Sequence, residues 1–335
     1  MEFEFFIGID VSKGELDFAV QQGRQLLFHR EISNDGAAIG AFFKELQGMA
    51  DFSVGRAIFC MEHTGIYNNH LLQVLHKKGA HICLEASTQI KNSLGNIRGK
   101  NDKIDAIRIA GYAFDQQHKL RLWQPKRAVV QQLSHLSATR ARLIDVKKQL
   151  KVPLKEHAAF STARVNRQSQ GICAHTLKAL DADIARADQA IDELIKGDAE
   201  LSRLFGLITS VSGVGKVTAA QVIITTNEFR NINDPKKFAC YSGVAPFTDD
   251  SGKIIKKARV SHMANKTMKT LLHLSAIVSI QYNADLKLFY QRKVTEDKKN
   301  KMSVINAIRN KLILRIFACV NQNRPYEKIY QKSLA

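Results

Sequence analysis

Cysteine is sparse and scattered in this chain. The five residues, at positions 60, 83, 173, 240 and 319, form no CxxC pair and no Cys/His ligand cluster. That excludes a zinc finger and a disulfide framework, and it leads to the expectation of a reducing compartment, the cytoplasm. Proline is equally scarce, 5 of 335 residues, and no repeat or low-complexity tract is present, which excludes collagenous and wholly disordered chains. No apolar run approaches the length of a spanning helix, so no membrane partner is expected. The opening MEFEFFIGID lacks the basic segment, apolar stretch and small-residue cleavage site of a secretory signal.

What is abundant is positive charge, and it is unevenly placed. Residues 1–125 carry 14 basic and 14 acidic side chains, whereas residues 126–335 carry 36 and 17, so the whole net charge of +19 lies in the second part. A field of that size concentrates a polyanion, and nucleic acid is the first candidate.

The first 125 residues alternate β-rich runs with helical stretches. EFEFFIGID, ELDFAVQ and QLLFHREIS come close enough together for antiparallel hairpins, while GRAIFCME and AHICLEA are separated by a helix from about Tyr67 to Lys78. This is the order of an α/β unit with a mixed sheet and helical cover, as in a ribonuclease H-like fold. Phe3, Phe5 and Ile7 are expected on one face of a central first strand, with Phe6 and Ile9 marking burial on both sides. Over 126–200 the period changes to three and four: Leu177, Leu180, Ile184, Ala187, Ile191 and Leu194 make a heptad-like seam, and Val129, Leu133, Leu136, Leu143 and Leu150 a looser one before Pro153. Two long coiled-coil helices follow, closing on each other or on a second subunit, with the turn in SQGICAH or in the basic segment before it. Residues 201–335 read as a small, mainly helical domain built around glycine loops.

Two acids end strands: Asp10 follows FFIGI and Glu62 follows AIFCM. In KNDKIDA, Asp102 and Asp105 stand three apart at the start of a helix and so share a face. Converging carboxylates repel unless a hard cation such as magnesium neutralises them; strand-end and helix-start acids that cap or face solvent are the plainer alternative for any one of the four. The loop VSGVGKVTAA places Gly213, Gly215 and Lys216 where backbone amides can face a phosphate, or where a tight interhelical turn simply needs glycine. It lacks the Walker spacing, so nucleotide hydrolysis is not supported. Downstream, Ser251-Gly252-Lys253 is followed by Lys256, Lys257 and Arg259 in a cationic segment, a composition equally suited to close approach to DNA and to a surface turn.

Taken together, GIDVSK, MEHTG, KNDKIDA, SGVGKVTA and YSGVAPFTDDSGK resemble, in this order, the DEDD-type insertion-sequence transposases that act as bridge-RNA-guided DNA recombinases, a family with pilin-gene-inverting members. The resemblance covers nearly the whole chain. It implies a RuvC-like domain over 1–125, a coiled-coil region over 126–200 and a C-terminal transposase domain over 201–335. It further implies a magnesium-binding tetrad of Asp10, Glu62, Asp102 and Asp105, and Ser251 as the serine that attacks the DNA backbone. The partners implied are double-stranded DNA targets and element ends, a noncoding bridge RNA, and a second or further copies of the chain in a homodimer or homotetramer. SHMANKTMKTLL departs from the family's basic-glycine-asparagine run, although Lys266 and Lys269 keep it cationic, and EASTQIK replaces a proline-containing turn. A Holliday-junction-type metal nuclease, a DNA invertase and a non-catalytic nucleic-acid-binding protein are the competing expectations.

Overall fold

A computed structural model describes residues 2–93, 101–247, 259–261 and 263–327, as a mixed α/β protein in two compact units, Met1–Pro125 and Lys126–Ala335. The first holds five strands, β1 (Phe5–Val11), β2 (Glu15–Gln22), β3 (Gln25–Ser33), β4 (Ala57–Glu62) and β5 (His81–Glu85), with helices α1 (Gly36–Gln47), α2 (Asn69–Lys77), α3 (Ser87–Ser93) and α4 (Asp102–Asp115). Their order in the sheet is β3-β2-β1-β4-β5. β1, β2 and β3 pair antiparallel, whereas β4 lies parallel to β1 and β5 parallel to β4. β1 is thus central, and the strands reached through helices are the parallel ones, because parallel neighbours need a crossover.

Phe5, Ile7, Ile9 and Val11 point to one side of the sheet, into a core shared with Ile39, Phe42, Phe43 and Leu46 of α1 and Leu71, Leu72 and Leu75 of α2. Phe3 does not join them. It lies with Phe6, Ile58, Cys60, Cys83, Ile109 and Tyr112 on the opposite face, so the expected grouping of Phe3 with Phe5 and Ile7 is corrected: Phe3 precedes the strand and does not follow its alternation. Ile9 follows the odd-numbered set and causes no irregularity.

On that second face α4 approaches β1 with almost no side chain between them. A Cβ built on Gly8 would stand 2.1 Å from the Ala106 carbonyl oxygen and 2.2 Å from the Ala110 nitrogen, and Ala19 completes this small-residue seam with Ala106 and Ala110. Only glycine permits the contact.

In the second unit, α5 (Ala128–Phe160) and α6 (Ala163–Gly197) form an antiparallel hairpin within one chain. Arg140 Nε donates to Asp188 Oδ1 at 2.5 Å, and Lys147 pairs with Asp181, so seven steps toward the tip on α5 match seven steps back on α6. The turn falls at Ser161–Thr162, both in extended conformation; SQGICAH and the basic Arg164–Arg167 stretch before it lie inside α6, which moves the turn ahead of both expected positions. Pro153 stays inside α5 on an exposed face.

The hairpin roots in a helical bundle of α7 (Ala199–Thr209), α8 (Lys216–Thr226), α9 (Pro235–Tyr241), α10 (Lys266–Tyr282), α11 (Ala284–Thr295) and α12 (Lys301–Asn321), with a two-stranded ribbon of β6 (Pro246–Phe247) and β7 (Arg259–Val260). Leu204, Ile208, Ile223, Phe238, Leu272, Leu312 and Phe317 are among its core residues, and Val130 and Leu133 of α5 join them. Arg127 fixes the root: its guanidinium donates to both oxygens of Asp198, at 2.8 Å each, and to Glu228. The Glu228 side chain is buried at 1% exposure, whereas that of Arg127 keeps 31% of its surface open to solvent. The Arg127 guanidinium holds the Asp198 carboxyl down at about 2, and Asp198 also caps α7 by accepting from the Leu201 amide. No helix among the described residues is long and apolar enough to cross a membrane.

Candidate functional site

The glycine seam determines where four acids stand. Asp10 is two residues beyond Gly8 and therefore on the same, α4-facing side of β1, while Asp102 and Asp105 occupy the first turn of α4, Asp102 one turn before Ala106 and Asp105 next to it. Asn101 starts that helix by accepting from the Lys103 amide at 2.9 Å. Glu62 ends β4, next to β1, and buried Asn68 holds its backbone carbonyl at 2.9 Å while accepting from the Thr64 amide at 2.7 Å. The result is electrostatic convergence. Burial first, and then the charges of Asp102, Asp105 and Glu62, push the Asp10 carboxyl up from 3.8 to about 6.

An Asp10 carboxyl whose proton affinity is raised by three neighbouring carboxylates marks a place short of positive charge, and the all-oxygen chemistry of the four suits a hard divalent cation. Arg108 supplies part of that charge, donating to Asp105 Oδ1 at 2.8 Å. Among the described residues, no group of three or more His, Cys, Asp or Glu side chains is drawn together closely enough to hold a metal ion. The donor chemistry therefore fits, with the side chains not gathered around one point.

Two neighbours escaped the reading of the sequence. Glu85 is the register partner of Glu62 at the end of β5, and its charge raises the Tyr112 hydroxyl on α4 after burial has done so, placing it on the same side of the sheet. Its signal is present in the sequence, since Glu85 follows HICL as Glu62 follows IFCM. Asp17 lies directly across from Asp10 on β2, buried, with His29 Nε2 at 2.7 Å from its Oδ1. Local pattern gave no hint of it, because the pairing depends on the hairpin register.

The cationic residues divide between two places in the second unit. Lys216 and Lys266 line a cleft of about 480 Å³ with Arg140 and Lys148, and Lys216 Nζ is held by Asp192 at 2.6 Å. Gly213 has φ +89°, and a Cβ there would lie 2.0 Å from Ser279 Oγ and 2.7 Å from the Ser275 carbonyl oxygen, so packing against α10 by itself demands glycine. Gly215 precedes α8 with open space around it. Lys269 lines a separate cavity beside α9 and α12, and Arg259 lies in β7, opposite Phe247. Ser251, Gly252, Lys253, Lys256, Lys257 and His262 lie outside the described residues.

Comparison with known proteins finds two family matches in the chain. A transposase model of the IS110 type matches residues 7–159, and a model described as transposase IS116/IS110/IS902 family matches residues 206–291. The chain belongs to the IS110 transposase family. The pilin gene-inverting protein of Moraxella bovis is 27% identical over 278 residues, 80% of this chain and 78% of that one, and the protein of the same name from Moraxella lacunata matches to the same extent. The insertion element IS900 uncharacterized 42 kDa protein of Mycobacterium paratuberculosis is 26% identical over 162 residues, 48% of this chain and 38% of its own length. As a transposase-family chain, this protein is a DNA-cutting enzyme of the recombination class. The first match ends within α5 and spans all four acids; the second begins in α7 and spans the glycine loop, the β6–β7 ribbon and α10.

Proposed function

We propose that this transposase is a site-specific DNA recombinase that cuts and rejoins strands through a phosphoserine ester on Ser251, assisted by magnesium at Asp10, Glu62, Asp102 and Asp105. The observation that carries the reading is the convergence of three acids from three other chain positions on Asp10. In this reading 1–125 is a RuvC-like domain, 126–200 a coiled-coil region and 201–335 the transposase domain that bears the serine. Magnesium, when bound, neutralises the tetrad and stabilises charge on the scissile phosphate and departing oxygen. Asp105 gives up Arg108 to reach it. Ser251 Oγ forms a bond to phosphorus as its hydroxyl proton leaves, the bond from phosphorus to the 3′ oxygen breaks, and that oxygen takes up a proton. Reversal by a 3′ hydroxyl from another strand rejoins DNA without ATP. Gly252 permits close approach of backbone to DNA, and Lys253 favours the pentavalent transition state.

The backbone amides at Gly213 and Gly215 and the cations Lys216, Lys253, Lys256, Lys257, Arg259, Lys266 and Lys269 hold nucleic acid, both the DNA targets and a bridge RNA that selects them. Strand exchange between two duplexes calls for a homodimer or homotetramer. The outcome is movement of an element, or inversion of a segment as the names of the Moraxella relatives suggest.

The test is an end-labelled target carrying a nick that traps cleavage, incubated with magnesium and the RNA encoded beside the gene, then run on a denaturing gel. Labelled DNA at protein mass is expected for the native chain and not for Ser251→Ala. Cutting with no adduct would instead assign the acids to water activation, a Holliday-junction-type nuclease; an adduct that survives Ser251→Ala would move the nucleophile elsewhere.

A further inference from the structure

Among the described residues, the charged lining of one cavity in the second unit is cationic, with no acid. The cavity encloses about 1080 Å³ between α9, α10 and α12, and its charged lining is Lys236, Lys269 and Arg309. Arg309 is only 6% exposed. Buried guanidinium groups ordinarily face a carboxylate, as Arg127 faces Asp198 and Glu228. Arg309 has none among the described residues. It donates to Asn306 Oδ1 at 3.3 Å and to His273 Nδ1 at 2.5 Å, while its Nε is buried without any hydrogen-bond partner. Both partners are neutral acceptors, since an imidazole nitrogen that accepts from arginine carries no proton.

A buried cation left with an unused donor is costly unless an anion completes it. Position indicates which anion. Pro246 and Val260, which also line the cavity, are register partners at the root of the β6–β7 ribbon, and three residues, a span of about 14 Å at full extension, separate Phe247 from Ser251. Arg309 itself lies beyond the segment matched by the second family model.

We propose that this cavity is a phosphate site, in which Arg309, with Lys236 and Lys269 at its mouth, takes a backbone phosphate of the nucleic acid next to the Ser251 loop. The assignment to a backbone phosphate rests on the recombinase reading; the anion site itself does not. A planar guanidinium with a free Nε suits a phosphate oxygen, and the two lysines, on more exposed positions, supply the longer-range attraction.

The full-length chain is melted in inorganic phosphate titrated against chloride at constant ionic strength, for the native protein, Arg309→Met and Lys269→Gln. The native melting temperature should climb with phosphate. Arg309→Met, relieved of an uncompensated buried charge, should melt no lower than the native chain without phosphate and gain nothing from it, and Lys269→Gln should fold normally and respond less. A parallel filter-binding titration follows affinity against salt for a DNA duplex and an RNA hairpin. In Arg309→Met the log–log slope should fall by about one for whichever of the two enters the cavity. If native melting is indifferent to phosphate and Arg309→Met melts lower, the arginine is structural and the proposal is wrong. A phosphate response with unchanged slopes on both polymers overturns the backbone assignment. Loss of the serine adduct with the phosphate response intact would instead refute the recombination chemistry alone.

Discussion

Replacing Asp10 by asparagine should make the first unit more stable at neutral pH, although it removes the residue at the centre of the acid cluster. Asparagine keeps an oxygen for the Val11 amide, which bonds Asp10, and removes only the charge. The Asp10 carboxyl is held at about 6 against 3.8, a difference of about 3 kcal/mol if it were fully shielded from water. Asp10 is half-buried, so screening reduces this to about 1–1.5 kcal/mol. With an unfolding entropy of about 2.1 cal/mol/K per residue, a unit of this length converts that into about 4–6 °C of melting temperature. The sign follows from proton counting. Below about pH 4 folded and unfolded chains both carry the proton and the variant gains nothing; between about 4 and 6 the unfolded chain releases it while folded Asp10 holds it, and native stability falls; above about 6 the deficit is complete. Trp123 is the sole tryptophan and packs in the first unit, so its fluorescence follows this unit alone. Magnesium should raise the native melting temperature at pH 7.5 and close the gap. A native protein more stable than Asp10→Asn at pH 7.5, or a difference that stays flat from pH 4 to 7, would refute the convergence of charge.

Gly8→Ala drives a methyl into the α4 backbone and should cost at least about 3 kcal/mol, the upper end for an overpacked core, lowering the Trp123 transition and abolishing strand cleavage. Arg127→Met leaves Glu228 buried beside only a distant Arg230, at 3.7 Å, and should destabilise the second unit by about 3 kcal/mol in denaturant titrations followed by circular dichroism; a loss under 1 kcal/mol would mean that Glu228 finds another partner. Because the Asp198 carboxyl is depressed to about 2, the stability it contributes is present above about pH 4 and is lost as pH falls toward 2, so acid titration of the second unit should lose a component in Asp198→Asn. Asp10→Asn and Glu62→Gln should abolish cleavage and leave DNA binding within about twofold of native, since the net positive charge lies in residues 126–335; unimpaired cutting by either would sink the tetrad.

Sequence alone determined what depends on neighbours along the chain. Alternating β-rich runs marked the five strands of the first unit, the Asp102–Asp105 pair was legible as a helix start, and the three-four spacing of apolar residues marked α6, because each is a local preference repeated over a few residues. The partition of charge needed only counting. Tertiary structure decided whatever depends on register between distant segments. The charges of Asp102 and Asp105 reach Asp10 because Gly8, Ala19, Ala106 and Ala110 let α4 descend onto β1, and no periodicity in either segment announces that contact. Pairing of α5 with α6 inside one chain was settled by Arg140–Asp188 and Lys147–Asp181, where the apolar seam alone allowed a second subunit equally well. Phe3 joined the far face because it stands before the strand whose alternation it was expected to share. Glu85 and Asp17 became neighbours of the cluster through strand order. Arg309 is one arginine among many in a basic sequence; only folding shows that it is buried and that no acid among the described residues meets it, since a charge is paired or unpaired by what the chain places within a few ångströms.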